Sequence, residues 1–188
     1  NVFGFIALVE DIFALAKKYE AITLVDMAQT AGLVDLNVGL TTIDFAVFAG
    51  HKTLYGPTGI SGFVMNPSVK FPAVIFGGTG YESANQDMPE DLPQKYEMGT
   101  LNIAGIAGLI AALGWSAQVT IDAIREKEAE NRKKLIDLLD RYSYIKIIGN
   151  YDSCNYVGIV SCIIEEISSD SAGPVFDRCG IAVRTGLQ

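Results

Sequence analysis

The chain has 188 residues, 49% of them hydrophobic, with 14 basic against 22 acidic residues and a formal charge of −8. This length and apolar content support a globular core in one domain, or one domain plus part of another. The acidic balance, without a basic patch interleaved with aromatics, argues against nucleic acid and anionic membrane surfaces as partners.

Apolar residues at Ile12, Leu15, Ala16 and Tyr19 recur at helical spacing and predict an amphipathic helix from Val9 to Tyr19, with Lys17 and Lys18 suited to its C-terminal end. Ala21 to Asp26 and Asp44 to Ala49 then read as short buried strands of a parallel sheet, joined by a loop that carries Gln29 and Gly32. The turn-rich Tyr55-Gly56-Pro57-Thr58-Gly59 leads into a strand from Ile60 that Asn66-Pro67 stops. So short a connection cannot cross over, so the last two strands are expected to be antiparallel neighbours or to be separated by another strand.

Residues 77–98 form a long polar loop of the kind that is usually functional or mobile. Asn102 is expected to cap a helix from Ile103 to Ser116, and Thr120 with Ile121 to open a charged one through Tyr142. Strands near Tyr144 to Ile148 and Val157 to Ile164, then a helix near Ala172 to Cys179, suggest a smaller α+β unit. The domain division is placed at 1–116 and 117–188. The charge run from Glu126 to Lys134 reads as a solvated helix face.

No apolar stretch reaches the roughly 18 residues of a membrane span. The first residues have neither the basic region nor the cleavage site of a secretory signal, so the expected compartment is the cytoplasm. Cys154, Cys162 and Cys179 lack the spacing of a disulfide framework or a zinc site and are read as structural. With His51 the single histidine, a histidine-based metal cluster or protease-like triad has little to work with.

The chemistry concentrates at two strand ends. Asp26 closes one strand and Gly50-His51-Lys52 follows the other, and ligands of open α/β sheets bind beyond the carboxyl ends of the strands. A lysine for a Schiff base and a carboxylate to hold a pyridinium nitrogen protonated are what a pyridoxal phosphate (PLP) enzyme needs. Partial burial of Lys52 would favour its neutral amine. The blander readings stand beside these: a solvated turn lysine, a turn-capping Asp26, a hydrogen-bonded structural His51 and a loop-satisfying Gln29. Glycines 56, 59 and 62 are a weak phosphate signal, and dinucleotide and P-loop patterns are absent.

Asp26-Met27-Ala28-Gln29, Ala49-Gly50-His51-Lys52 with Tyr55-Gly56-Pro57-Thr58-Gly59, Tyr96 to Asn102, and Gly180-Ile181-Ala182-Val183-Arg184-Thr185-Gly186 together resemble class V aminotransferase-fold proteins. The likeness is nearest to cysteine desulfurases and selenocysteine lyases, and its order and spacing run across nearly the whole chain. It implies a PLP-dependent transferase of fold type I: part of a large domain with a mixed, mainly parallel sheet, plus part of a small α+β C-terminal domain.

The resemblance also implies roles. Lys52 holds the cofactor, Asp26 pairs with the ring nitrogen, Gln29 contacts the ring hydroxyl and His51 supports the phosphate. Asn1 lies near the ring hydroxyl and the substrate carboxylate, and Arg184 takes a substrate-side role. Thr100 reaches the phosphate in a neighbouring subunit, which implies a homodimer. The implied reaction takes sulfur from L-cysteine, leaving alanine and an enzyme persulfide that a sulfur-acceptor protein could receive.

Some departures qualify this reading. The family's nucleophilic cysteine follows the Arg-x-Gly segment, and Cys154, Cys162 and Cys179 do not match it. Its substrate-clamping arginine lies farther downstream, and its phosphate loop and ring-stacking residue precede Asn1, so the chain is expected to be a portion truncated at both ends. Ala49 replaces a serine that contacts the phosphate in many relatives, a loss of about 1.5–3 kcal/mol for one charge-assisted hydrogen bond. The alternatives are a non-catalytic fragment that supports dimerisation, or another class V reaction such as selenocysteine cleavage or transamination.

Overall fold

The computed structural model describes residues 2–39, 42–81, 84–149 and 155–186. The chain divides into two compact units, Val9–Val119 and a second built from Asn1–Leu8 with Thr120–Gln188.

The first unit begins with helix α1, Val9–Lys17. The sequence pattern points Ile12, Leu15, Ala16 and Tyr19 inward, but the structure turns Phe13 and Val9 onto Ile43 and Ala46 instead. Ile12, Leu15 and Tyr19 stay exposed. Apolar residues occupy more than one face of α1, so periodicity alone cannot choose between them. Lys17, one turn beyond Phe13, decides the matter by reaching Asp44. The helix ends there, and Glu20 takes a left-handed backbone angle of 54°.

Three strands follow: β1, Leu24–Asp26; β2, Phe45–Ala49; and β3, Ser61–Met65. Their order is β1-β2-β3. β1 runs parallel to β2, with Asp26 opposite Val47. β3 is the antiparallel neighbour of β2, with Ala49 opposite Ser61. The class V resemblance is met by this mixed sheet. The expectation that β1 is buried is not: Leu24 and Asp26 are exposed, because β1 is a sheet edge with no further strand beside it among the described residues. β1 is also shorter than predicted, since the residues before it are occupied at its entry point.

That entry point is a buried polar knot. The Asp44 carboxylate accepts hydrogen bonds from the Thr23 backbone N–H at 2.8 Å and the Lys17 ammonium at 2.5 Å, while the Thr23 hydroxyl, 3.2 Å from the same carboxylate, donates to Thr42 O at 2.6 Å. Asp44 N in turn donates to Thr23 Oγ1 at 3.0 Å. Burial would raise the Asp44 pKa, but the hydrogen bonds from Lys17 and Thr23 outweigh it and hold the carboxyl below its ordinary value. The knot fixes the starts of β1 and β2, and their ends with them.

Helix α2, Ile103–Val119, closes the unit. Asn102 caps it as expected, its Oδ1 accepting from Gly105 N at 2.9 Å. The long loop before it contains one 3₁₀ turn, Gln94–Tyr96.

In the second unit, α3 spans Ile121–Leu139, with the Thr120 side chain accepting from Ala123 N. The positions of α3 at every fourth residue, Ile124, Glu128, Arg132 and Ile136, face inward: Ile124, Arg132 and Ile136 are buried, and Glu128 accepts from Gly158 N at 3.0 Å. Arg132 is therefore an exception to the solvated charge run, its guanidinium lying 4.5 Å over the Tyr156 ring. The outer face carries ion pairs between Glu130 and both Lys127 and Lys134.

Strands β4, Ile145–Ile148, and β5, Ser161–Ile164, pair antiparallel. β5 starts later than predicted, because the preceding residues pair with the chain's own beginning: Val157 N donates to Gly4 O, and Ile6 N to Asn155 O. Helix α4, Ser169–Arg178, starts earlier than predicted because Ser168 caps it, accepting from Ser171 N. Cys162, read from sequence as a structural residue, is exposed on β5, as is its neighbour Ile163, because the two-stranded sheet leaves the middle of β5 open on both faces.

Candidate active site

The parallel pair β1-β2 sets the carboxyl edge on which the candidate residues gather. Asp26 ends β1, and its Oδ1 accepts from Ala28 N at 2.8 Å, turning the chain sharply. A run of turns follows, in which Ala31 N donates to Met27 O and Val34 N to Thr30 O. Gln29 lies half-buried inside it. At the end of β2 the chain enters a closed loop: Gly50 N donates to Ile60 O at 2.9 Å, and Gly56 N returns to Gly50 O at 2.7 Å. His51 and Lys52 sit on this loop.

The two loops touch. Gly32, at a φ of 79°, lies where a Cβ would come 3.1 Å from Thr53 O and 3.0 Å from Leu54 Cδ2. The left-handed backbone favours glycine there, and any side chain would press on the lysine loop. Gly56 is more tightly constrained, since a Cβ there would lie 2.7 Å from Gly50 O. Of the three glycines that looked like a phosphate signal in the sequence, Gly56 is thus required by backbone contact, while Gly62 makes room for the Phe48 ring.

Asp26, His51 and Lys52 are exposed. The partial burial expected for Lys52 is not found, because the part of the loop packed against α2 is Tyr55 to Gly59 and Lys52 lies outside that contact. Thr100 lies in the segment before α2, where Gly78, Thr79, Gly80, Gly99, Thr100, Leu101 and Ile103 line an open groove of about 540 Å³. Two residues on, Asn102 Nδ2 donates to Gly59 O at 3.1 Å, so this segment reaches the far end of the lysine loop. Arg184 belongs to the other unit, exposed in the extended stretch after α4. Asn1 and Cys154 lie outside the described residues.

The donor set suits PLP. An open lysine amine, a carboxylate with one oxygen turned to its own loop, and an imidazole and an amide on touching loops match its aldehyde, ring nitrogen, phosphate and hydroxyl. Thr53 Oγ1, next to the lysine, is buried without a partner among the described residues. Sequence reasoning missed Asp44, Thr23 and the Gly32 contact. Asp44 was legible only as the start of a strand, because its partners come from distant positions.

The fold and strand-end arrangement define a class V aminotransferase-type protein, and residues 1–188 match the family model for Aminotransferase class-V. The chain belongs to that family. It is 32% identical over 191 residues to a probable cysteine desulfurase of Pyrococcus abyssi, covering 99% of this chain and 47% of that protein. It is 35% identical to a probable cysteine desulfurase of Halalkalibacterium halodurans, with 99% and 46% covered. The apo structure of a cysteine desulfurase from Thermococcus onnurineus NA1 superposes with a TM-score of 0.76 at 27% identity, over 99% of this chain and 47% of that one. A NifS-like protein, at 24% identity, shares the fold with a TM-score of 0.81, over 98% of this chain and 47% of that one. The chain spans about half the length of the curated relatives it matches.

Proposed function

We propose that the chain is the cofactor-lysine portion of a PLP-dependent cysteine desulfurase. The observation that carries this reading is the contact at Gly32, which seats the Asp26 loop against the Lys52 loop on one carboxyl edge. When bound, PLP supplies an electron sink for the electron pair left on the substrate Cα once its proton is removed. Lys52 would hold the cofactor aldehyde, and its amine would carry the substrate Cα proton. The Asp26 carboxylate keeps the ring nitrogen protonated, Gln29 donates to the ring hydroxyl and His51 to the phosphate. Thr100 reaches the phosphate in a second copy, so the working form is a homodimer. Asn1 and Arg184 orient the substrate carboxylate side.

The substrate on this reading is L-cysteine, whose sulfur passes to a thiolate and onward to an acceptor protein in the cytoplasm. Cys162 and Cys179 do not match the position after the Arg-x-Gly segment where the family's thiolate lies, and partial desolvation raises the Cys162 pKa, which disfavours its ionised form. The test is to load the full-length protein with PLP, reduce with borohydride and map the pyridoxyl group. It should fall on Lys52 and disappear in Lys52→Ala. A label elsewhere, or none, refutes the reading.

The exposure of Asp26, His51 and Lys52 favours a second reading for the 188 residues alone: a dimer-supporting segment without turnover. Release of alanine and sulfide by this chain by itself would rule that out. No single helix among the described residues is long and apolar enough to cross a membrane.

A further inference from the structure

The lysine loop rests on α2 along a track in which each step of the loop meets a lower turn of the helix. The Tyr55 ring meets Trp115 edge-to-face, centroids 5.1 Å apart. Pro57 packs on Gly108, where a Cβ would lie 2.8 Å from Pro57 Cγ. Gly59 O accepts from Asn102 Nδ2 at 3.1 Å. Between them, Leu109 Cδ1 stands 2.9 Å from where a Cβ on Gly56 would be. Loop residues 55, 57 and 59 thus run antiparallel to helix residues 115, 108 and 102.

The spans do not match, and the residue types reflect it. Four residues of extended chain reach roughly 13 Å, whereas thirteen residues of helix rise about 20 Å. The ends of the track are bridged by side chains, the Tyr55 ring against Trp115 and the Asn102 amide to Gly59 O. The middle needs no reach and is closed by a glycine. Tyr55 also carries a left-handed φ of 58°, uncommon for a bulky residue and costly unless its surroundings enforce it. Its N–H donates to Lys52 O at 2.9 Å, so the backbone turn that strains Tyr55 also fixes the carbonyl of Lys52.

We propose that α2 is a cradle for the lysine loop, in which Tyr55, braced edge-on against Trp115, is a positioning residue for Lys52. Tyr55 does not touch the reacting atoms; it acts through the loop backbone. The proposal rests on Lys52 being the cofactor lysine, and its test separates the two.

Three variants probe it in the full-length protein: Tyr55→Ala, Tyr55→Phe and Gly108→Ala. Alanine at position 108 favours the helix itself while its Cβ pushes the Pro57 ring, so it displaces the loop without weakening α2. The rate of PLP trapping on Lys52 should fall about tenfold or more in Tyr55→Ala and Gly108→Ala, within the scale of loss that small misplacements of a reacting group produce. The visible circular dichroism of the loaded protein should change with it. Tyr55→Phe should restore both, because the contact uses the ring and not the hydroxyl.

In the unloaded protein, the acylation rate of Lys52 by acetic anhydride, measured by peptide mass spectrometry against Lys133, should shift in the same two variants and not in Tyr55→Phe. If variants that keep the parent far-ultraviolet spectrum match the parent in Lys52 acylation, the cradle has no positioning role and the proposal fails. If the parent traps no PLP on Lys52, the cofactor reading fails, while the acylation ratio still decides the cradle.

Discussion

Asp44 is the point at which the register of the two site-bearing strands can be tested most directly. Asp44→Ala removes the acceptor for the Thr23 N–H and the Lys17 ammonium together. Thr23 is 3% exposed, so its orphaned N–H has no water to turn to and costs about 1–3 kcal/mol, while its hydroxyl keeps the 2.6 Å bond to Thr42 O. The Lys17 side chain is 34% exposed, which holds the ion pair to at most about 1 kcal/mol after solvent screening. The expected loss is about 3 kcal/mol, which for a chain of this size lowers the Tm by roughly 6–12 °C. Asp44→Asn keeps an oxygen for the Thr23 N–H and should lose only about 1 kcal/mol. Thermal unfolding followed by circular dichroism measures both. A Tm for Asp44→Ala within about 1 °C of the parent, or equal losses for the two variants, refutes the reasoning, because the knot would then not hold the strands.

The same carboxylate predicts a pH dependence. Its folded pKa is lowered from 3.8, so its contribution is fully present above that value and is lost as pH falls through the folded one; the Tm gap between parent and Asp44→Asn should be widest near neutrality and close in acid. Glu130, held near a pKa of about 2 by hydrogen bonds from Lys134 and Lys127, follows the same sign, so Glu130→Gln should flatten the acid limb of α3 unfolding between about pH 4.5 and pH 2. Gly56→Ala places a Cβ 2.7 Å from Gly50 O; it should cost about 1–3 kcal/mol as overpacking and slow PLP capture, whereas an unchanged Tm and capture rate would show that the loop can open there. Alkylation of Cys162 and Cys179, both exposed, should leave PLP trapping on Lys52 intact, and loss of trapping would show that one of them belongs to the site.

What the sequence revealed and what it concealed divide along physical lines. Local signals were legible: Asn102 and Thr120 cap helices because an Asn or Thr side chain reaches N–H groups two or three residues on, and the antiparallel return of β3 follows from a connection too short to cross over. Signals that depend on distant partners were not. Phe13 rather than Ile12 faces the sheet because Lys17 is drawn to Asp44, 27 residues away. The stretch 155–157 pairs with residues 4–6 instead of extending β5, a choice that no window of local sequence contains. Asp26 and Lys52 could be placed at strand ends, but the exposure of both could not be read, because a run of apolar residues looks the same in an edge strand as in a central one.

The glycines carry the argument one step further. From sequence, glycines 56, 59 and 62 suggested a phosphate cradle; in the structure, Gly32, Gly50 and Gly56 are spacers that let backbone meet backbone, Gly50 within 2.9 Å of Ile60 O where its Cβ would be. A site assembled this way takes its geometry from main-chain contacts and from α2 rather than from a buried side-chain core. It can therefore hold Asp26 and Lys52 on one edge while both remain open to solvent. The desolvation that a reactive amine requires must then be added by whatever covers that edge, so positioning and activation of Lys52 are separable properties. Mutations in the knot or the cradle should disturb the first, and coverage of the edge should control the second.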